Sequence, residues 1–151
     1  HAVSAVHLGG SVSWPAAALP PAAAAVALDQ VRALRYGAQV AAAHLTGHAR
    51  ATVVALADEA NREEERLGDW AGSAARPAPA GYTLPFAVHS PTTADRLVRT
   101  LLGALATDCL RPLAALDDGS GVPAAAETAA RWIGLALPWG GSLPPLPGLQ
   151  R

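Results

Sequence analysis

The sequence predicts an all-helical protein, a four-helix bundle with one long connection, and three observations support this fold class. The 151 residues are 51% hydrophobic but only 5% aromatic, and alanine, the strongest helix former, dominates the apolar fraction. Apolar residues recur three and four positions apart in four stretches, as on one face of a helix. Segments rich in proline and glycine separate these stretches. We therefore predict an irregular segment over residues 1–20 and one bundle domain over residues 21–151.

The first predicted helix runs from Pro21 to about Thr46. Proline suits the first turn of a helix because its missing N–H has no partner there. Gly47 is the expected stop, since glycine readily adopts the left-handed conformation that follows a helix end. The face predicted to point inward consists of Ala27, Val31, Leu34, Ala38, Ala41 and Leu45.

The second predicted helix covers about His48 to Ala74 and carries one charged residue on its apolar face. That residue is Glu63, which occurs where the spacing of three and four requires an inward position. The other members of this face are Val53, Leu56, Ala60, Leu67, Trp70 and Ala74.

A long crossover, residues 76–89, connects the second helix to the third. Residues 76–81 (Arg-Pro-Ala-Pro-Ala-Gly) cannot continue a helix, because the prolines lack a backbone N–H. Residues 82–88 are apolar, but Pro85 interrupts them and disfavours a central β-strand. We expect an extended segment that packs across the bundle.

Two further helices follow the crossover. The third begins with Ser90 as its N-cap and Pro91 as its first helical residue. A turn at residues 117–121 separates it from the fourth helix, which begins at Pro123 and stops at Pro138. The inward faces are predicted to contain Val98, Leu102, Leu105 and Cys109 in the third helix and Ala126, Ala130, Ile133 and Leu137 in the fourth.

The C-terminal residues 139–151 are predicted to form a proline-rich strap. Prolines alternate with leucines there, a composition typical of the extended polyproline conformation. Such a strap would fold back and cover the bundle with Leu143, Leu146 and Leu149. The alternative interpretation is a free peptide that a partner domain binds.

Several short motifs stand out along this predicted framework. They are residues 35–37 (Arg-Tyr-Gly), residues 81–88 (Gly-Tyr-Thr-Leu-Pro-Phe-Ala-Val), residues 130–132 (Ala-Arg-Trp) and residues 146–149 (Leu-Pro-Gly-Leu). With these motifs, about residues 22–149 resemble the actinobacterial ferritin-like domain of unknown function. The resemblance implies the ferritin-like connectivity and a module that dimerises or binds a partner, without an established activity. The sequence departs from the family near Asp29 and Gln30, where the family pattern has an acidic residue and a histidine.

Composition and charge argue against several classes of protein. The formal charge of -1 at pH 7 gives no basic excess, which disfavours a nucleic-acid partner. The sequence has no lysine, so it lacks Schiff-base chemistry and the phosphate-loop lysine. The longest apolar run, residues 15–28, is mostly alanine with three prolines and predicts no membrane span. The single cysteine, Cys109, forms no intramolecular disulfide, which fits a reducing, cytoplasmic location.

The glutamates lack the histidine partners that a di-iron site requires. Ferritin-like oxidases use a glutamate from each of two helices and a Glu-x-x-His pair from each of the other two. No glutamate in this sequence has a histidine three residues later, and the second helix has Glu-x-x-Arg instead, at Glu59 with Arg62 and at Glu63 with Arg66. A guanidinium neutralises a carboxylate and is no metal ligand. We therefore predict an ion pair at Glu63 and no metal or cofactor, with a solvated or a metal-binding Glu63 as alternatives.

The sequence favours a non-enzymatic role over a catalytic one. We expect a helical bundle that acts through self-association, as a dimer, or by binding a protein partner. No catalytic residue is assigned. The residues predicted to contact a ligand or a partner are Tyr36, Glu63, Arg66, Phe86 and Trp132.

Two other functions stay open at this point. One is a metal-dependent oxidase with an unusual carboxylate set, Asp29, Glu63 and Asp108. The other is a carrier of an apolar small molecule, with a pocket lined by Tyr36, Phe86 and Trp132. A convergent carboxylate cluster would favour the first, and a sizeable cavity between the aromatic rings would favour the second.

Overall fold

The computed structural model describes residues 18–108 and 121–140, and these residues form helices and connecting segments without a β-strand. The prediction of an all-helical protein is confirmed for this part of the chain. The described residues contain four α-helices, namely α1 (Pro21–Ala43), α2 (Gly47–Ala71), α3 (Pro91–Asp108) and α4 (Val122–Ala136). Short 3-10 turns follow α2 and α4 at Gly72–Ala74 and Leu137–Trp139. No helix in the described ranges has the length and apolar character that a membrane span requires.

The hydrophobic core lies between α1 and its neighbours. α1 packs against both α2 and α3, and α3 packs against α4. Among the residues that the structure describes, alanine, leucine and valine supply most of the buried side chains, and Trp132 is the largest side chain that is fully buried. Small alanine side chains let the helix backbones approach closely.

The ends of α1 are set by backbone geometry. The predicted start at Pro21 is confirmed, but the helix ends at Ala43, earlier than the predicted Thr46. The N–H of His44 donates to the carbonyl oxygen of Ala41 over 3.0 Å and closes the last turn. Gly47 has a φ of 56°, a left-handed conformation that favours glycine, but it opens α2 instead of ending α1. The predicted inward face of this helix is buried throughout.

The second helix ends before its predicted limit. Gly72 has a φ of 50°, so the α-helix stops at Ala71 and a 3-10 turn follows. Ala74 is consequently exposed, whereas the sequence predicts it on the inward face. Ala71 is buried in its place.

The predicted N-cap of α3 is confirmed. The Thr93 N–H donates to the Ser90 Oγ over 3.2 Å, and the Ser90 N–H donates to the Thr93 Oγ1 over 3.0 Å. This reciprocal pair satisfies two backbone donors at the helix start. The crossover therefore ends at a fixed point on the bundle.

The predicted inward face of α4 is correct at Ile133 but wrong at Ala126 and Ala130. Ala126 is exposed and Ala130 is half-buried, although both are predicted to point inward. Because alanine occurs on every side of this helix, the position of the largest side chain, Trp132, decides which face is buried. The residues that are buried are Ala124, Ala125, Thr128, Ala129, Trp132, Ile133 and Ala136.

Several sequence predictions lie outside the described residues. They are the inward position of Cys109, most of the turn over residues 117–121 and the leucines of the proline-rich strap, Leu143, Leu146 and Leu149. The irregular character of residues 1–17 lies outside them as well.

Candidate functional site

A buried ion pair occupies the space between α2 and α4. Glu63 is only 6% exposed, and the guanidinium of Arg66, one turn later on α2, holds its carboxylate with two hydrogen bonds. The Nε of Arg66 donates to Oε2 of Glu63 over 2.9 Å, and Nη2 donates to Oε1. The predicted ion pair at Glu63 is therefore present and bidentate, the geometry that gives guanidinium and carboxylate their strongest pairing.

Residues of α4 complete the surroundings of this pair. The indole Nε1 of Trp132 lies 3.4 Å from Oε1 of Glu63, and Nη2 of Arg66 donates to the Thr128 Oγ1 over 3.2 Å. The Arg66 guanidinium also lies 4.3 Å from the ring centroid of Trp70, at a distance typical of a cation–π contact. We call Glu63, Arg66, Thr128 and Trp132 the Glu63 network. Its buried polar groups are matched by partners, which removes the penalty of isolated buried charge.

The donor set around Glu63 does not suit a metal ion. Both carboxylate oxygens accept hydrogen bonds from the guanidinium, and a cation beside Glu63 would be repelled by Arg66. No group of three or more histidine, cysteine, aspartate or glutamate side chains within the described ranges is arranged to bind a metal. The Glu63 network can therefore hold α2 and α4 together, but it offers no free coordination position for a metal ion.

The carboxylates of the alternative oxidase set do not converge on one point. Asp29 lies 3.8 Å from the Arg32 guanidinium, and its side chain is 49% exposed. Asp108 lines a cleft between α1 and α3, whereas Glu63 lies in the network between α2 and α4. These three side chains form no common ligand set in the described part of the chain.

A second ion cluster joins α1 to α2 and was missed by the sequence analysis. Glu64 is largely buried, and its carboxylate lies 3.0 Å from the Nε of Arg32 and 2.6 Å from the Nε of Arg35. The second contact is an ion pair outside hydrogen-bond geometry. Arg32 also donates from Nη1 to the carbonyl oxygen of Arg76 over 2.7 Å, so the same cluster fixes the start of the crossover. One feature of the sequence could have indicated this cluster. Arg32 and Arg35 are three residues apart, which places their two guanidinium groups on one side of α1.

The crossover packs in the extended form that the sequence predicts. Tyr82, Leu84, Phe86 and Val88 are half-buried, and the residues between them are exposed. The half-buried apolar side chains of the crossover contact the hydrophobic core, with the guanidinium of Arg96 lying 4.4 Å from the Phe86 ring centroid. The alternating pattern shows an extended segment lying with one side against the helices.

Two of the motifs highlighted in the sequence contact each other in the structure. The rings of Tyr36 and Tyr82 have centroids 5.7 Å apart, and a Cβ at Gly81 would lie 3.6 Å from the Tyr36 hydroxyl oxygen. A Cβ at Gly37 would lie 2.1 Å from Cδ1 of Leu101 and 3.8 Å from Cδ2 of Leu84. The Arg-Tyr-Gly motif of α1 is thus the surface on which the crossover packs.

Tyr82 carries a hydroxyl group that is buried without a hydrogen-bond partner. Burial raises the pKa of the Tyr82 phenol above its ordinary value of 10.0, because the charged phenolate would lose its hydration. The nearby Arg32 guanidinium opposes this shift of the pKa to a smaller extent. Tyr82 therefore stays neutral over the physiological range.

The five predicted contact residues divide between two places. Glu63, Arg66 and Trp132 meet in the Glu63 network, while Tyr36 and Phe86 lie along the crossover. A cleft of about 120 Å³ borders α1 and α3, and another of about 350 Å³ borders the start of α1. Neither of these clefts is lined by Tyr36, Phe86 or Trp132, the aromatic set expected for a small-molecule carrier.

The fold and these sites define an all-helical protein with a buried ion-pair network and an extended crossover. The profile of a family described as "Domain of unknown function (DUF4439)" matches residues 23–151, and the chain belongs to this family. No curated protein matches the sequence. The crystal structure of a conserved hypothetical protein, rv2844, from Mycobacterium tuberculosis is similar, with a TM-score of 0.68 and 21% sequence identity over 79% of this chain and 92% of that chain. This likeness shows a shared fold.

Proposed function

We propose that this chain is a ferritin-like four-helix module without a di-metal centre, and that it acts by self-association as a dimer or by binding a protein partner. The observation that carries the proposal is the pairing of Glu63 with Arg66. In ferritin-like oxidases the residue three positions after the helical glutamate is a histidine ligand. In this chain the corresponding residue is Arg66, whose guanidinium neutralises the Glu63 carboxylate. This pairing supports a structural or binding role for the bundle and not a catalytic one.

The outer face of α2 supports association through this helix. Val54 is 40% exposed, and Ala51 and Ala55 beside it are exposed as well. Small apolar side chains allow a second helix to approach closely, and burying them against a partner removes apolar surface from water. We propose that the dimer contact lies on this face. Our proposal also keeps two further predictions from the sequence, a cytoplasmic location and a proline-rich C-terminal strap.

Sedimentation velocity over the micromolar range tests the self-association. We expect the native protein to sediment at twice the chain mass of 15.3 kDa. Val54→Arg introduces a charge into the proposed contact and is expected to give the monomer. Val122→Arg is the matched control, because Val122 on α4 is 47% exposed and lies outside the proposed face. This variant should remain dimeric.

Two results would count against the proposal. A native protein that stays monomeric and captures no defined protein partner would contradict both forms of association. A dimer that dissociates equally in Val54→Arg and Val122→Arg would contradict the assignment to α2.

A further inference from the structure

A cleft at the start of α1 carries two residues of opposite charge that the proposed function does not use. Its volume is about 350 Å³, a size within the range of ligand pockets in proteins. The described lining consists of Ala22, Ala25, Val26 and Asp29 of α1, Ala74 of the 3-10 turn after α2, and Arg76 of the crossover. Neither the Glu63 network nor Val54 contributes to this lining.

Arg32 positions both charged residues of the cleft. Its Nη1 donates to the carbonyl oxygen of Arg76 over 2.7 Å and lies 3.8 Å from Oδ1 of Asp29. The Arg32 side chain is only 13% exposed, and its Nε donates to the Glu64 carboxylate over 3.0 Å. The cleft is therefore built on the ion cluster that joins α1 to α2, which limits the movement of its charged residues.

Asp29 and Arg76 both retain capacity to bind a ligand. The distance of 3.8 Å between Asp29 and Arg32 is too long for a hydrogen bond, and the Asp29 side chain is 49% exposed. The Arg76 guanidinium forms no ion pair with another residue that the structure describes. Asp29 and Arg76 thus line one cleft without pairing with each other, and they offer a carboxylate acceptor and a guanidinium donor.

The other described residues of the lining are apolar. Val26 is 37% exposed, which is unusual for a large aliphatic side chain in the described part of this protein. It shares the lining with three alanines, whose short side chains leave room for a ligand. An aliphatic group bound here would remove the exposed surface of Val26 from water.

We propose that this cleft binds a small zwitterion with an aliphatic side chain, namely an α-amino acid such as leucine. The ammonium group of the ligand pairs with Asp29, its carboxylate pairs with Arg76, and its side chain packs against Val26. Asp29 would repel a simple anion and Arg76 would repel a simple cation, whereas a zwitterion satisfies both residues. Because water screens both ion pairs, we expect a dissociation constant in the millimolar range.

A titration of the full-length protein with L-leucine at pH 7, followed by ¹H–¹⁵N NMR, tests this site. Two comparison probes have the same aliphatic group but only one charge. They are 4-methylpentanoate, which lacks the ammonium group, and 3-methylbutylamine, which lacks the carboxylate. We expect leucine to shift the backbone amides of Val26, Asp29 and Ala74 and to bind about fivefold more tightly than either comparison probe.

Substitutions assign each charge of the ligand to one residue. Asp29→Asn should abolish the preference for leucine over 4-methylpentanoate, and Arg76→Gln should abolish the preference over 3-methylbutylamine. Both positions are exposed, so neither substitution should disturb the fold. The matched controls are Asp95→Asn and Arg62→Gln, at side chains that are 46% and 68% exposed, and both should bind leucine like the native protein.

A larger side chain in the lining tests the location of the ligand. Ala22 is exposed at the start of α1, and Ala22→Leu should occupy the cleft and weaken the binding of all three probes. Ala126→Leu, at an exposed position of α4, is the control and should leave their binding unchanged.

Three outcomes would overturn the proposal. Equal affinity of the native protein for the three probes would show an apolar site that does not recognise charge. Unchanged preferences in Asp29→Asn and Arg76→Gln would place the ligand elsewhere. Absence of any shift at leucine concentrations on the order of 50 mM would show that the cleft binds no amino acid. None of these outcomes bears on the dimer proposed above, because Val54 is not among the described lining residues.

Discussion

Two Glu-x-x-Arg pairs on α2 have the same spacing but lie in different environments. In the pair of Glu59 with Arg62, the side chains are 40% and 68% exposed. In the pair of Glu63 with Arg66, they are 7% and 22% exposed. An exposed pair contributes little because water screens it, whereas a buried pair costs much when one partner is removed. The spacing of apolar residues correctly placed Glu63 on the inward face of α2, but it could not identify Thr128 and Trp132 as further partners of the pair.

Arg66→Met is expected to destabilise the protein by about 2–4 kcal/mol, because it leaves the Glu63 carboxylate buried without its cation. Arg62→Met is the matched control and should cost less than about 0.5 kcal/mol. Urea denaturation followed by circular dichroism measures both free energies of unfolding. Adding Glu63→Leu to Arg66→Met should recover most of the loss, since an apolar pair replaces the unbalanced charge. Equal costs for the two single variants would contradict this account.

The helices themselves were predictable to different degrees. The inward face of α1 is correct because Val31 and Leu34 mark one side of an otherwise alanine-rich helix. The inward face of α4 is correct at Ile133 but wrong at Ala126 and Ala130, because alanines lie on all sides of this helix and only the buried Trp132 marks the side that packs inward. Periodicity thus locates a helix reliably, but it fixes the buried face only where large side chains break the symmetry.

Two glycines within the helices, Gly103 and Gly37, are expected to respond differently to replacement by alanine. Gly103 of α3 has open space around a potential Cβ, so Gly103→Ala should stabilise the protein by about 0.5–1 kcal/mol through reduced backbone entropy. At Gly37 the new Cβ would lie 2.1 Å from Cδ1 of Leu101, which must move aside. We therefore expect Gly37→Ala to be less favourable than Gly103→Ala by about 1 kcal/mol or more. Thermal denaturation compares the two, and equal gains would show that α1 and α3 do not meet closely here.

The burial of Tyr82 in the crossover predicts that the stability of the folded protein decreases at high pH. Because burial raises the pKa of the Tyr82 phenol, the folded state binds its proton more tightly than the unfolded state does. The stability that depends on this proton is present below pH 10.0 and decreases as the pH rises further. Tyr82→Phe should lack this decrease, and at neutral pH it should be as stable as the native protein, since the hydroxyl has no partner to lose.

Unfolding free energies of the native protein and Tyr82→Phe between pH 8 and 11 measure this difference. Tyr36→Phe serves as the control for removing a tyrosine hydroxyl beside the crossover. A native stability that falls no faster than that of Tyr82→Phe above pH 10.0 would contradict a buried phenol.

At the scale of the whole molecule, the contact between α1 and the crossover could not be derived from local patterns. Helix periodicity and capping describe contacts between residues that are close in the sequence. Tyr36 and Tyr82 contact each other although the whole of α2 separates them in the sequence. The ion cluster of Glu64 with Arg32 and Arg35 is equally non-local, and charged residues on a helix ordinarily predict a solvated face. The motifs pointed to residues of interest, but only the fold shows that they form one packing surface.

The proposed absence of a di-metal centre has a consequence for the stability of the folded protein. A metal present at 100 times its dissociation constant stabilises a native state by about 2.7 kcal/mol, which raises the Tm of a chain of this size by about 5–10 °C. Arg66 already neutralises Glu63, so we expect Fe²⁺ or Mn²⁺ to change the Tm by less than about 1 °C relative to Mg²⁺ at equal ionic strength. Differential scanning calorimetry under anaerobic conditions measures this comparison. A rise of about 5 °C with Fe²⁺ or Mn²⁺, but not with Mg²⁺, would show that acidic side chains bind a cation in the folded protein and would reject the scaffold proposal.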